Sequence, residues 1–226
     1  MQTRVIMLAD FDYFFAQCEE LRNPAIKDKP VVVGVYSGRT EESGAVSTSN
    51  YIAREYGVKS GLPLFLAKKK LDGLDPVFFR VDHEYYEQIS NRIMAIFRTY
   101  ATALEQVSVD EAYLDVTKQV EGSFDKACDY AKKIKADVKA QVGISFSIGV
   151  GPNKLVSKIA CDSQKPDGLT IVKPEEAQAF LSPLSVDRLL GVGKKTTARM
   201  EQMGIKTIGD LSKYDPQRLI EVFGKV

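Results

Sequence analysis

The chain has 226 residues, 44% of them hydrophobic and 27% charged, and a formal net charge of +1 at pH 7. No uninterrupted apolar stretch approaches the roughly 18 residues of a spanning helix, and a charge this close to zero argues against a generic polyanion binder. The length exceeds the commonest single-core domain of about 100 to 150 residues, so two or three modules on one chain are expected.

Met1-Gln2-Thr3-Arg4 leads into the apolar strand Val5-Ile6-Met7-Leu8-Ala9. A segment this short, ending on Asp10, lacks the apolar core and cleavage site of a secretory signal, so a cytoplasmic location is expected. The strand runs straight into Asp10-Phe11-Asp12-Tyr13-Phe14-Phe15. Phe14, Cys18 and Leu21 then recur at helical spacing, and the helix should stop at Asn23-Pro24, because proline disfavours a helical residue before it. Val31-Val32-Val33-Gly34-Val35-Tyr36 reads as a buried strand. Residues 50–56, ended by Gly57, and residues 64–71 read as short helices. Residues 14–80 thus form a compact inserted module whose polar face carries Arg39, Thr48, Tyr51 and Arg54.

From Glu84, the positions Tyr86, Ile89, Ile93, Phe97 and Tyr100 predict a long amphipathic helix, followed by a strand at 105–109, a tight turn and a strand at 112–117. A second helix over 124–141, with the stripe Ala127, Tyr130, Ala131, Ile134 and Val138, leads into the strand Ile144-Ser145-Phe146-Ser147-Ile148-Gly149-Val150. With the insertion set aside, the order strand, helix, strand, strand, helix, strand is the ferredoxin-like, or split βαβ, arrangement of an α+β protein. From about residue 171 the chain is helical and punctuated. Leu189-Leu190-Gly191-Val192-Gly193-Lys194-Lys195, followed by Ala198, Met200 and Met203-Gly204-Ile205, reads as two short helices around a glycine hairpin. Asp215-Pro216 then supplies an N-cap and first-turn proline for a helix closed by Gly224.

Cys18, Cys128 and Cys161 are widely spaced and form no Cys-x-x-Cys pair, so neither a disulfide framework nor a zinc site is expected. The sole histidine, His83, has no His or Cys near it, which argues against a histidine-based triad. Charge is distributed unevenly. Residues 1–130 hold 15 Lys or Arg against 20 Asp or Glu, and residues 131–226 hold 16 against 10. An acidic first half and a basic second half suit a metal site followed by a polyanion-holding region, and also suit ordinary scatter on solvated faces.

The acidic residues carry the chemistry. Asp10 ends the first strand, and Asp110-Glu111 sits in the predicted hairpin. Two carboxylates about 4 Å apart repel by roughly 4 kcal/mol at an effective dielectric near 20, and a bound divalent cation relieves them. Inside a regular strand, adjacent residues face opposite sides; at a turn both can face one ligand. Alone, Asp110-Glu111 reads equally as a polar turn, and Asp10 in the same sheet tips the reading toward a phosphoryl-transfer site. Asp12 departs from that parity and is expected to cap the following helix. Gly191-Val192-Gly193 lets backbone N–H groups approach a phosphate, with Lys194, Lys195 and Arg199 at the same end. That is the helix-hairpin-helix pattern of sequence-blind DNA binding, which also occurs as a plain packing unit.

The stretches Ala9-Asp10-Phe11-Asp12-Tyr13-Phe14-Phe15, Ser37-Gly38-Arg39, Gly44-Ala45-Val46-Ser47-Thr48-Ser49-Asn50-Tyr51-Ile52-Ala53-Arg54, Ser108-Val109-Asp110-Glu111-Ala112-Tyr113-Leu114-Asp115 and Lys165-Pro166-Asp167-Gly168 together resemble the Y-family, or translesion, DNA polymerases of the type IV branch. The resemblance spans nearly the whole chain. It implies a palm of residues 1–13 and about 81–170, fingers of 14–80, and a helix-hairpin-helix thumb of 171–226. By the same resemblance Asp10, Asp110 and Glu111 are the catalytic carboxylates, holding two Mg2+ with the backbone carbonyl of Phe11 as a further ligand. Tyr13, Phe14, Phe15, Thr48, Tyr51, Arg54 and Lys165 become nucleotide contacts, with Phe15 as the steric gate against a 2′-hydroxyl. Gly44 and Ala45 would lie over the templating base, where small side chains check base-pair shape weakly, allowing bypass of damaged bases at low fidelity. Gly191, Gly193, Lys194 and Lys195 would contact the DNA backbone.

The implied partners are primer-template DNA and deoxynucleoside triphosphates, with a sliding clamp in a longer form, no membrane, and a monomeric state. No exonuclease-like acidic set is present, so no proofreading is expected. Relatives continue into a fourth, little-finger domain, whereas the chain ends at Val226, so weak, salt-sensitive DNA binding and near-distributive synthesis are expected. Two other classes compete. A nucleotidyl cyclase on the same palm needs no DNA-binding hairpin, and a catalytically silent DNA-binding repair module needs no carboxylate set.

Overall fold

The computed structural model describes residues 3–38 and 43–224; Arg39 and Val226 lie outside the described residues. In chain order the elements are β1 (Ile6–Asp10), α1 (Phe14–Arg22), β2 (Val31–Tyr36), β3 (Gly44–Ser49), α2 (Tyr51–Glu55), α3 (Leu64–Lys70), β4 (Val77–Arg80), α4 (His83–Tyr100), β5 (Ala103–Gln106), β6 (Glu111–Asp115), α5 (Phe124–Val142), β7 (Ser147–Gly151), α6 (Lys154–Ser163), β8 (Leu169–Ile171), α7 (Ala177–Leu181), α8 (Lys194–Gln202), α9 (Ile208–Ser212) and α10 (Pro216–Phe223).

β1, apolar except for its last residue and buried throughout, is the middle strand of a five-stranded sheet of order β5-β6-β1-β7-β8. It runs antiparallel to both β6 and β7, which gives the split βαβ order expected from the sequence. β7 and β8 pair in parallel, with α6 as their crossover. Strand alternation sorts the side chains. Met7, Ala9, Ala112, Leu114, Ile148 and Val150 face α4 and α5, whose stripes Tyr86, Ile89, Ile93, Phe97 and Ala127, Ala131, Ile134, Val138 close the main core. Each large apolar side chain buried there stabilises the fold by roughly 1.5–3 kcal/mol. α5 is capped at both ends: the Ser123 hydroxyl accepts the Lys126 N–H, and Gly143 takes the left-handed C-terminal position at φ 85°.

On the opposite face Ile6, Leu8 and Asp10 stand in register with Gly151, Gly149 and Ser147 of β7. This small-residue stripe determines how α6 packs. A Cβ on Gly149 would lie 2.0 Å from the Ser157 carbonyl oxygen and 2.2 Å from the Cys161 nitrogen, so α6 lies backbone-to-backbone on β7. That approach brings the exposed flank of α6 over the end of β1.

A second sheet of order β3-β2-β4 pairs β2 antiparallel with β3 and parallel with β4, and Val32, Val46, Ala53, Leu64 and Leu71 pack between it and α2 and α3. β3, β4, α6 and β8 were not expected from the sequence. β5, β6 and β7 are shifted from the expected 105–109, 112–117 and 144–150, because pairing to β1 sets the limits of β6 and β7 and pairing to β6 those of β5. In the C-terminal part Val186, Met200 and Ile205 form a small core of their own. The helix expected before the glycine hairpin is a single 3-10 turn, Val186–Arg188. α10 begins as expected, with the Asp215 carboxylate accepting the Gln217 N–H, and ends at Gly224. Among the described residues no helix is long and apolar enough to cross a membrane.

Candidate active site

The antiparallel register places Asp10 directly opposite Glu111, so both carboxylates leave the same face at the same end of the sheet. Asp110 lies just outside β6. Its carbonyl accepts the Phe11 N–H at 2.8 Å, while its carboxylate accepts the Ser108 hydroxyl at 2.6 Å. Asp10 and Glu111 therefore converge, and the Asp110 side chain is turned toward Ser108. Among the described residues no three acidic or histidine side chains form a ready metal cluster. Phe11 is locked at this end by its ring, which packs against Phe14, Phe97 and Phe146.

Two lysines that follow from the α6 approach face the carboxylates. The Lys158 ammonium lies 3.0 Å from Asp10 Oδ2 and 2.5 Å from Glu111 Oε2, and Lys165 lies 2.6 Å from Asp10 Oδ2 and 3.0 Å from Asp162 Oδ1. Burial pushes the Asp10 carboxyl up, but Lys165 and Lys158 together outweigh it and hold the group below the usual carboxylate range. Burial dominates at Glu111, which is raised despite Lys158. At Lys165 burial pulls the ammonium down, and the carboxylates of Asp10 and Asp162 more than compensate, so it titrates above an ordinary lysine. The donor set of carboxylate and carbonyl oxygens at one sheet end suits a small hard dication, which would add to the charge the two ammonium groups supply.

Asp12 does not cap α1, as the sequence suggested. The capping position is Tyr13, in the left-handed region at φ 39°, with no side-chain cap, because Asp12 is turned inward and buried. Its carboxylate accepts the Ser147 hydroxyl at 3.0 Å and the Asp167 N–H at 2.7 Å. Burial raises its pKa against those hydrogen bonds. The Asp12 carboxylate thus ties the 165–168 loop to the end of β1.

The second sheet contributes the other wall. The Tyr13 ring meets Tyr51 edge-on at 5.3 Å, and the Arg54 guanidinium lies 4.7 Å over the Tyr51 ring while its Nε donates to the Ser49 carbonyl at 3.0 Å. Burial, then Asp12, push the Tyr51 phenol up, with Arg54 and Lys165 opposing and Asp10 adding, so these groups share one electrostatic environment. Thr48 lies in β3 opposite Val33. Asn50 joins the walls: its oxygen accepts the N–H groups of Val31 and Ala53, and its Nδ2 donates to Glu20 and to the Lys29 carbonyl. Gly44 and Ala45 open β3 opposite Tyr36 and Val35.

Phe15 is half-buried and stacks on Tyr86 at 4.4 Å and 21°, with His83 edge-on at 6.1 Å. Tyr86 is itself fixed by donating to the Glu19 carboxylate at 2.7 Å. The Phe14 ring is buried in the core, so only its backbone at the start of α1 can meet a ligand. Gly191 takes φ 87° and Gly193 forms the N-cap of α8, whose first two residues are Lys194 and Lys195. Two cations at a helix N-terminus oppose the helix dipole, an arrangement that an anion there would relieve. Lys158, Lys135 and the inward Asp12 were missed from the sequence. The alternation Ser147-x-Gly149-x-Gly151 was the available signal, since it marks a strand face on which another backbone can rest.

The chain has counterparts among known proteins. The sequence profile described as the impB/mucB/samB family matches residues 9–162, and the profile described as the DNA polymerase-iota thumb domain matches residues 187–226. The chain belongs to the impB/mucB/samB family. It is 50% identical over 226 residues to DNA polymerase IV of Nitrosopumilus maritimus, covering all of this chain and 62% of that protein. To DNA polymerase IV 1 of Methanosarcina mazei it is 46% identical over 232 residues, again with all of this chain and 62% of the relative. Among solved structures, the insertion ternary complex of Dbh DNA polymerase matches with a TM-score of 0.93 and 42% identity, over 98% of this chain and 64% of that one. DinB from Sulfolobus solfataricus matches with a TM-score of 0.89 and 41% identity, over 98% and 63%. The chain spans about three fifths of the length of the curated relatives it matches.

Proposed function

We propose that the chain carries template-directed DNA polymerisation, adding deoxynucleotides to a primer 3′-hydroxyl, with the loose template check that lets damaged bases through. The observation that supports it most is the register pairing of Asp10 with Glu111 at the sheet end faced by Lys165 and by the Tyr13, Tyr51 and Arg54 wall. In this reading the five-stranded sheet with α4, α5 and α6 is the palm, residues 14–80 the fingers and residues 171–226 the thumb. Asp10, Asp110, Glu111 and the Phe11 carbonyl would hold two Mg2+. Such ions, when bound, would supply a lowered pKa at the attacking hydroxyl and charge neutralisation at the leaving pyrophosphate.

The chain's own residues do the rest. Arg54 offers a planar donor fork and Lys165 a point charge to the triphosphate. Tyr13, Thr48 and Tyr51, with the Phe14 and Phe15 backbone at the start of α1, would contact the same nucleotide. Phe15, braced by Tyr86, lies under the sugar and crowds a 2′-hydroxyl. Gly44 and Ala45 leave the templating base little to press against. Gly191, Gly193, Lys194 and Lys195 hold duplex phosphates without reading sequence. Primer-template DNA and deoxynucleoside triphosphates are the substrates in this reading.

Primer extension with Mg2+ tests the reading. The parent protein is expected to add nucleotides, and Asp10→Ala, Asp110→Ala and Glu111→Ala each to abolish extension while circular dichroism stays native. Extension at parental rates by any of the three removes that residue from the carboxylate set.

A further inference from the structure

Lys135 stands on α5, away from Asp10 and Glu111, yet its ammonium is committed to two segments, the residue before β7 and the loop after α6. It donates to the carbonyls of Phe146 at 2.7 Å, Asp167 at 2.7 Å and Gly168 at 3.0 Å, and pairs with the Asp167 carboxylate at 2.8 Å, its side chain only 17% exposed. An ammonium has three N–H donors, so these acceptors exhaust it. The same loop is held from the other side by Asp12 on the Asp167 N–H, and by the Ser147 hydroxyl, which accepts the Gly168 N–H at 3.1 Å. Residue 168 is confined further, since a Cβ there would lie 1.8 Å from the Gln164 carbonyl oxygen. Lys165 therefore sits between two fixed points, the end of α6 and the clamped pair 167–168, with its ammonium on Asp10.

We propose that Lys135 is a positioning residue for Lys165, setting through the 165–168 loop where that ammonium can meet a triphosphate. The inference rests on the reading of Lys165 as a triphosphate contact. Stability alone does not require a lysine here. Its α5 neighbours Ile134 and Val138 are apolar and fully buried, and its charged partner Asp167 is 63% exposed, so the ion pair itself contributes little. A charged group that gathers three carbonyls from two segments instead fixes where those segments lie.

The test is steady-state primer extension at saturating DNA, with KM for the deoxynucleotide and kcat measured separately for Lys135→Met, Lys135→Arg, Lys165→Met and the Lys135→Met/Lys165→Met double variant. Lys135→Met is expected to raise KM on the order of tenfold, the scale of a sub-ångström misplacement, with much less change in kcat. Lys135→Arg should stay near the parent. In the double variant KM should equal that of Lys165→Met alone, because a displaced group that is absent costs nothing more. Penalties that multiply, or a Lys135→Met variant with unchanged KM beside a Lys165→Met variant with raised KM, overturn the inference and leave the proposed function standing. An unchanged KM in Lys165→Met instead removes the triphosphate reading, and the inference with it. Should Lys135→Met fail to fold by circular dichroism, Ser147→Ala, which frees the Gly168 N–H from the opposite side, must give the same KM rise and the same non-additivity, and an unchanged KM there overturns the proposal.

Discussion

Gly149→Ala is the sharpest test of how the site is assembled. The added methyl carbon would lie 2.0 Å from the Ser157 carbonyl oxygen, 2.2 Å from the Cys161 nitrogen and 2.8 Å from its Cα. All three are backbone atoms of α6, so no side chain can swing aside. Restoring ordinary contact requires the helix to lift off β7 by more than about 1 Å, and overpacking of this kind costs roughly 1–3 kcal/mol, occasionally more. With backbone on both sides the upper end applies. At about 2–4 °C per kcal/mol for a domain of this size, the melting temperature should fall by roughly 6–12 °C. Activity should fall further than stability, because α6 carries Lys158 and leads into Lys165, and a 1 Å misplacement near reacting groups costs about a hundredfold. Thermal unfolding followed by circular dichroism, and primer extension well below the new melting point, read the two effects. A variant that melts within about 1 °C of the parent and extends primers equally well would show that α6 does not depend on this contact.

Phe15→Ala should reduce the preference for deoxynucleotides over ribonucleotides by at least about tenfold in kcat/KM, and unchanged sugar discrimination would remove the gate role. Lys194→Ala with Lys195→Ala should weaken DNA binding equally across sequences and reduce the log–log salt slope by about 2, measured by fluorescence anisotropy; an unaltered slope would place the phosphates elsewhere. Asp10→Asn tests the electrostatics by pH. The folded-state pKa of Asp10 is depressed, so its contribution to stability is present above the unfolded value of about 3.9 and is lost as pH falls through the lower folded value. The stability gap between parent and variant should therefore narrow as urea unfolding is repeated from pH 5 down toward pH 2, and a constant gap would contradict the assignment.

What could be read from the sequence was what local pattern dictates. The stripes of α4 and α5, the stop at Asn23-Pro24 and the Asp215-Pro216 start all follow from periodicity, proline and capping, and Asp10 beside the acidic hairpin follows from pairing the first strand centrally with that hairpin. β3 was illegible because Gly44-Ala45-Val46-Ser47-Thr48-Ser49 is small and polar and becomes a strand only by pairing with β2. β4 is four residues long and gains its strand character from parallel pairing with Val31 to Gly34. Asp12 looked like a helix cap because the donors that turn it inward, the Ser147 hydroxyl and the Asp167 N–H, are 135 and 155 residues away. Lys158 and Lys135 carry no local signal, since nothing nearby in sequence shows that α6 is pressed against β7 or that carbonyls gather at Phe146 and Gly168.

The central place of β1 has a consequence for synthesis. Its two neighbours are residues 111–115 and 147–151, so a strand made among residues 6–10 has no partner until roughly 100 more have been added, and its second only after roughly 140. At about 5–20 residues per second the delay is on the order of ten seconds, during which Ile6, Met7, Leu8 and Ala9 are an unpaired apolar edge of the kind that aggregates. The smaller β3-β2-β4 sheet, closed within residues 31–80, can fold during that wait. The nascent polypeptide thus completes its Tyr51–Arg54 wall before its acidic centre exists, and chaperone demand should peak while residues 81–150 emerge from the ribosome.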